Sequence, residues 1–331
     1  MIPVALPSVE ALLLIAFLFA TTFVWIVWTL GLLIRYICGR WKRPMLLPYG
    51  LVTAIAAFTV WKTGDFYIHM RAYDRERTAS YRPELLAPTR LGQIDMPKGT
   101  KLELAIADTR DAFSRAVFPH PVRVADIDAV EIARYIAIKT NDNYETIGFT
   151  PDNMRITGNG VTTQSGWRCD ATRPVEFDLR PDGSISAFSR CILANGNVVD
   201  GITLPEGTSL RASTGNVYID GFVDSDRWVL GTPQGQTVRV DNFDLFDATI
   251  ALDDERKLYE IKGAVLSKEA TLGTRRHAAG THVRYNSRYL RKDYPAAWLL
   301  TPPLPDVDPQ PASPASLVQN REGEVLAAPA D

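Results

Sequence analysis

The chain has 331 residues, 46% hydrophobic and 22% charged, with a formal net charge of −2. That balance excludes the broad basic surface on which nucleic-acid binding depends, and no DNA- or RNA-binding motif stands in the sequence. The length suggests about two structural units, and the apolar residues crowd into the first 61 positions.

Residues 11–34 (ALLLIAFLFATTFVWIVWTLGLLI) carry no charge. At about 1.5 Å rise per residue the run reaches roughly 36 Å, enough to cross a hydrocarbon core of about 30 Å with some tilt. It is too long for the apolar core of a signal peptide, and no basic residue precedes it. A second run, 45–61 (MLLPYGLVTAIAAFTVW), is at the short end of a span. Residues 1–61 are therefore expected to form a two-helix transmembrane hairpin in the lipid bilayer. Between the runs lie Arg35, Arg40, Lys42 and Arg43. Basic residues in short loops stay cytoplasmic. Both termini and the rest of the chain are then expected outside the cytoplasm, which in a Gram-negative cell is the periplasm.

Residues 62–90 read as a linker or a continuation of the second helix. From 91 to 300 short strand-like runs alternate with turns, among them KLELAIA at 101–107, VEFDL at 175–179, SISAF at 184–188 and THVRY at 281–285. Period-two alternation of this kind predicts strands with one buried face. One helix is predicted at 126–138, where Ile127, Val130, Ile132, Tyr135 and Ile138 fall roughly on one side. Residues 301–331 are rich in Pro, Ala and Ser and are expected to be flexible or extended.

A turn phrase recurs in the β region. Met96-Pro97-Lys98-Gly99-Thr100 matches Leu204-Pro205-Glu206-Gly207-Thr208, with looser copies at 232–238 and 278–283. Each reads as a tight glycine turn feeding a strand. The spacing of Gly99, Gly207, Gly235 and Gly280 is irregular. The expected fold is therefore mainly β: an irregular, repeat-containing sheet, barrel or solenoid-like domain with one or two helices. The hairpin layout and these P-x-G-T turns together resemble uncharacterised bacterial two-span membrane proteins with turn-rich repeat-β domains, some of them encoded beside secreted toxins as immunity factors. That resemblance implies an immunity or envelope-accessory role and carries over no catalytic residues.

No G-x-S-x-G elbow, Walker loop, dinucleotide fingerprint or H-E-x-x-H is present, and no cofactor is expected. His277 and His282 flank the Gly280 turn and read as exposed turn residues rather than as a metal pair. Cys169, in Trp167-Arg168-Cys169-Asp170, reads as structural. Cys169 and Cys191 are candidates for a disulfide, which an oxidising compartment permits. The sharpest candidate surface is a basic, aromatic segment: Arg275, Arg276, Arg284, Tyr285, Arg288, Tyr289, Arg291 and Lys292. Arg and Tyr are enriched in protein interfaces. The expected function is a membrane-anchored, non-enzymatic periplasmic binding module that docks a protein partner in the envelope. A structural subunit of a membrane complex and an envelope-polymer hydrolase are the alternatives.

Overall fold

The computed structural model describes residues 9–38, 46–219, 221–303 and 316–327. Two compact units divide the chain at Ser80 and Tyr81.

The first unit holds two helices, α1 (Val9–Ile37) and α2 (Leu46–Tyr81). Within α1, Ala16–Ile34 is long and apolar enough to cross a membrane, the one such stretch among the described residues. Phe17, Phe19, Phe23 and Leu30 are exposed on it. The two helices touch where the Trp25 indole N–H donates to Thr53 Oγ1 at 3.1 Å. α2 continues past Trp61 through a charged sequence to Tyr81, so most of the expected linker is helical. Of the basic residues expected to set topology, Arg35 falls within α1, and Arg40, Lys42 and Arg43 lie outside the described residues.

The second unit is built on one antiparallel sheet of 15 strands. These are β1 (Lys101–Leu104), β2 (Phe113–Val124), β3 (Ile127–Thr140), β4 (Thr146–Gly158), β5 (Val175–Leu179), β6 (Ile185–Ile192), β7 (Ser209–Ala212), β8 (Trp228–Gly231), β9 (Thr237–Val240), β10 (Phe243–Leu252), β11 (Leu258–Leu266), β12 (His282–Tyr285), β13 (Trp298–Thr301), β14 (Leu317–Gln319) and β15 (Val325–Ala327). Each strand pairs with its neighbour in sequence, except that β8 and β9 both pair with β10, along different halves of it. β1 and β15 are the two ends of the order, so of the expected alternatives the sheet is present and no barrel closes. Small two-stranded hairpins at 89–96, 161–170, 198–203 and 270–277 supplement the sheet. They contribute Leu91, Met96, Trp167, Ile202 and Leu272 to a core that runs continuously from Leu85 to Leu300.

Three of the glycine turns share one construction. Gly99, Gly207 and Gly280 have φ of 86°, 85° and 84°, a region that glycine enters without steric cost. In each the following threonine amide donates to the carbonyl three residues back, at 3.3, 3.2 and 3.2 Å, and its hydroxyl donates to the same oxygen at 2.8, 2.7 and 2.8 Å. Each glycine amide also donates to a leucine carbonyl fourteen residues earlier (85 to 99, 193 to 207, 266 to 280), and that leucine amide donates to the threonine carbonyl. The threonines and leucines are buried. The turn at 233–236 has the glycine geometry but Gln236 where the others have threonine, and it makes no such leucine contact.

One expectation is corrected here. Residues 126–138 are not a helix but lie mostly in β3. Its buried side chains are Ile127 and Ala129, then Ile132 and Arg134. The pairing with β4 slips between Ala129 and Glu131, and this bulge moves the inward face by one residue. A period-two pattern with one slip imitates helical spacing. Within the 301–331 segment, expected to be flexible or extended, β14 pairs with β13, and β15 pairs with β14.

Candidate docking surface

The described residues of the β7–β8 connection, 213–219 and 221–227, form a two-limbed arm. An isolated bridge joins Val217 to Val223, and a turn closes its end, with Tyr218 N donating to Phe222 O at 2.9 Å and Gly221 N to Tyr218 O at 2.9 Å. Gly215 must be glycine: at φ 80° a Cβ would stand 2.1 Å from the Asp224 carbonyl oxygen.

The arm is held at its base by charge. Asp224 and Asp226, two residues apart, are both buried. Asp224 Oδ2 accepts from the Tyr218 hydroxyl at 2.7 Å and from Asn216 Nδ2 at 3.3 Å. Its Oδ1 lies 3.7 Å from Arg291 Nη1. Asp226 Oδ2 pairs with Lys262 Nζ at 3.1 Å. Arg291 also reaches Glu260 Oε2 at 3.4 Å, the Tyr259 hydroxyl, and the Asn286 carbonyl at 3.0 Å. Burial raises the Glu260 pKa, with Arg291 and Lys262 opposing the rise. The hydrogen bond to Asp224 raises that of Tyr218. Neither Asp224 Oδ1 nor Asp226 Oδ1 has a hydrogen-bond partner, so the electrostatic balance of the site rests on its two cations.

Above this base the arm presents carbon. Val217, Ile219 and Val223 are exposed, as is Tyr289 on the short helix α3 (Arg288–Arg291). The Arg288 guanidinium lies 3.1 Å from the Tyr218 ring centroid and 5.8 Å from that of Phe222, joining α3 to the arm. The ion pairs at the base tie down the backbone that carries these exposed side chains.

The expected basic, aromatic segment is not one surface. Arg275 and Arg276 are exposed on the 270–277 hairpin, with Arg276 3.9 Å from Glu269. Arg284 is exposed on β12, whereas Tyr285 is buried with its ring centroid 4.8 Å from that of Trp298. Arg288 and Arg291 meet the arm, and Tyr289 and Lys292 are exposed beside them. His282 is exposed, but His277 is buried and shares a 2.8 Å hydrogen bond with Gln319 Oε1; burial lowers its pKa and favours the neutral ring. It occupies the position that Met96 and Leu204 fill in the other turns, which is why it points inward. No group of three or more metal-ligating side chains occurs among the described residues. Cys169 and Cys191 are joined, with Cα atoms 5.9 Å apart, and both are buried, as is Trp167 on the same hairpin as Cys169.

Sequence reasoning passed over Asp224, Asp226, Glu260 and Lys262. The Asp-Ser-Asp spacing was the available signal, since alternate residues of an extended segment share a face. No family model matches the chain, and no curated protein or solved structure shows significant similarity to it.

Proposed function

We propose that this chain is a membrane-anchored binding module that docks a protein partner through the 216–223 arm and α3. The observation that carries this reading is the exposed group Val217, Ile219, Val223 and Tyr289 set on a buried charged base. Fully covering an aliphatic or aromatic side chain of this size contributes about 1.5–3 kcal/mol, and a few such anchors dominate a typical interface. The apolar stretch in α1 supports anchoring; a second span in the first part of α2 belongs to the same proposal. The Cys169–Cys191 bond suits an oxidising compartment. With the basic loop between the helices, it supports a domain outside the cytoplasm. An immunity or envelope-accessory role follows, in which confinement at the membrane raises the effective concentration of the domain near its partner.

The test is site-specific photocrosslinking in intact cells that produce the full chain. A photoreactive residue at Val217, Ile219 or Tyr289 should yield one shared adduct, absent when the probe is at the exposed Tyr144 on the β3–β4 turn. Equal adducts at all four positions, or none at the arm, would overturn the docking reading. Alkaline phosphatase fused after Asp331 reports the compartment separately, and should be active.

A further inference from the structure

Among the described residues, the backbone–backbone hydrogen bonds made between 214 and 226 stay within the arm: Asp224 N donates to Asn216 O at 3.0 Å, below the two bonds of the tip. The ends alone meet the sheet. Ser213 N donates to Arg227 O and Arg227 N to Leu252 O, both at 2.8 Å. The arm can therefore lift without breaking a strand pairing. Side chains seat it: Asp224 on Arg291, Asp226 on Lys262, and the Tyr218 ring under Arg288.

The buried charges of this seat do not balance. Three carboxylates, Asp224, Asp226 and Glu260, face two cations, Arg291 and Lys262. Two further arginines stand to the side. Arg288 lies over the Tyr218 ring, and the exposed Arg227 donates to the Asp226 carbonyl. Asp224 has Tyr218 and Asn216 as donors, and Asp226 has Lys262. Glu260 shares Arg291 with Asp224 and accepts from the Arg288 backbone N–H. The Tyr259 hydroxyl and Asn286 carbonyl beside it are neutral and accept from Arg291. A buried carboxylate without a cation of its own takes up a proton more readily than one in water. Burial raises the Glu260 pKa and Asp224 adds to the rise, with Arg291 and Lys262 opposing it.

We propose that the arm is a proton-controlled latch: a protonated Glu260 leaves the seat neutral and holds the arm down, and loss of that proton loosens it. In the lifted arm Glu260 regains water and its ordinary value of 4.5. The seated form is thus favoured below that pH, and the advantage is lost as pH rises through the higher pKa of the seated state. Where the arm docks a partner, the reading on which this rests, docking follows the acidity of the compartment.

Hydrogen–deuterium exchange of the full chain in detergent micelles tests the latch. It is read by mass spectrometry from about pH 5 to about pH 8 and corrected for intrinsic exchange rates. No partner is needed, so a failure of docking is seen separately, by crosslinking. Arm amides should exchange faster than those of β10, because a lifted arm with one bridge is too small to keep its own bonds. Their protection should fall about threefold or more across that range. Glu260→Gln should remove the slope and keep the arm at its low-pH protection. A flat wild-type profile, a slope that survives Glu260→Gln, or arm amides protected as strongly as those of β10 would each overturn the latch. The first and third are read on wild type alone, so they decide even if Glu260→Gln folds poorly.

Discussion

Asp224 and Arg291, 67 positions apart in sequence, meet with Oδ1 and Nη1 3.7 Å apart, and the aspartate is almost wholly shut from water. This pair joins the β7–β8 arm to α3. Removing the cation would leave Asp224 and Glu260 without their nearest opposite charge. Breaking a buried pair from one side typically costs about 3–5 kcal/mol. With Arg291 still partly exposed, Arg291→Met is expected to destabilise the domain by about 2–3 kcal/mol. Urea unfolding followed by tryptophan fluorescence measures this. Limited proteolysis should show earlier cleavage within 213–227.

Glu260 gives the network a pH signature of definite sign. Its pKa is raised from the ordinary value of 4.5, first by burial. The folded state therefore holds this proton more tightly than the unfolded state does, and stability falls as pH rises from about 4.5 through the folded pKa. The difference in urea midpoint between wild type and Glu260→Gln should follow that fall across pH 4–7. A difference that stays flat would remove Glu260 as its source.

The Cys169–Cys191 bond closes a separation of 22 residues. Constraint of the unfolded chain by a loop of that size corresponds to about 3 kcal/mol. The double variant Cys169→Ala/Cys191→Ala should lose roughly that amount in denaturant unfolding, and wild type in reducing buffer should approach it.

The glycine turns make a graded prediction. Gly207 and Gly235 both have positive φ, so alanine strains both. At Gly207 the added Cβ would also stand 3.3 Å from Pro233 Cγ, whereas at Gly235 it would meet open space. Gly235→Ala is expected to cost about 1 kcal/mol and Gly207→Ala about 2 kcal/mol. Thermal denaturation of the two variants side by side supplies the comparison.

Much of the β domain was legible in sequence because its signals are local. Charge-free length marked α1, and period-two alternation marked strands such as β1 and β12. A positive-φ glycine after proline marked the turns at Gly99 and Gly207. Pairing partners were not legible. The leucine held by each turn stands fourteen residues upstream, with a small hairpin between. β3 was misread because one bulge displaced its inward face between Ala129 and Ile132. The charged base of the arm was hidden for a related reason. Asp224 and Asp226 gain meaning from Lys262 and Arg291, which only the folded sheet brings near.

Because neighbouring strands of the sheet are also close neighbours in the chain, its order is the order of synthesis. A strand leaving the ribosome or a translocation pore finds its partner already formed, and need not wait for a distant segment. Local pairing of this kind lowers the loop-closure entropy that slows most large β proteins. Cys191 likewise arrives when Cys169 is only 22 residues ahead. The domain is thus suited to assemble progressively from its N-terminal edge, with β15 closing the sequence last.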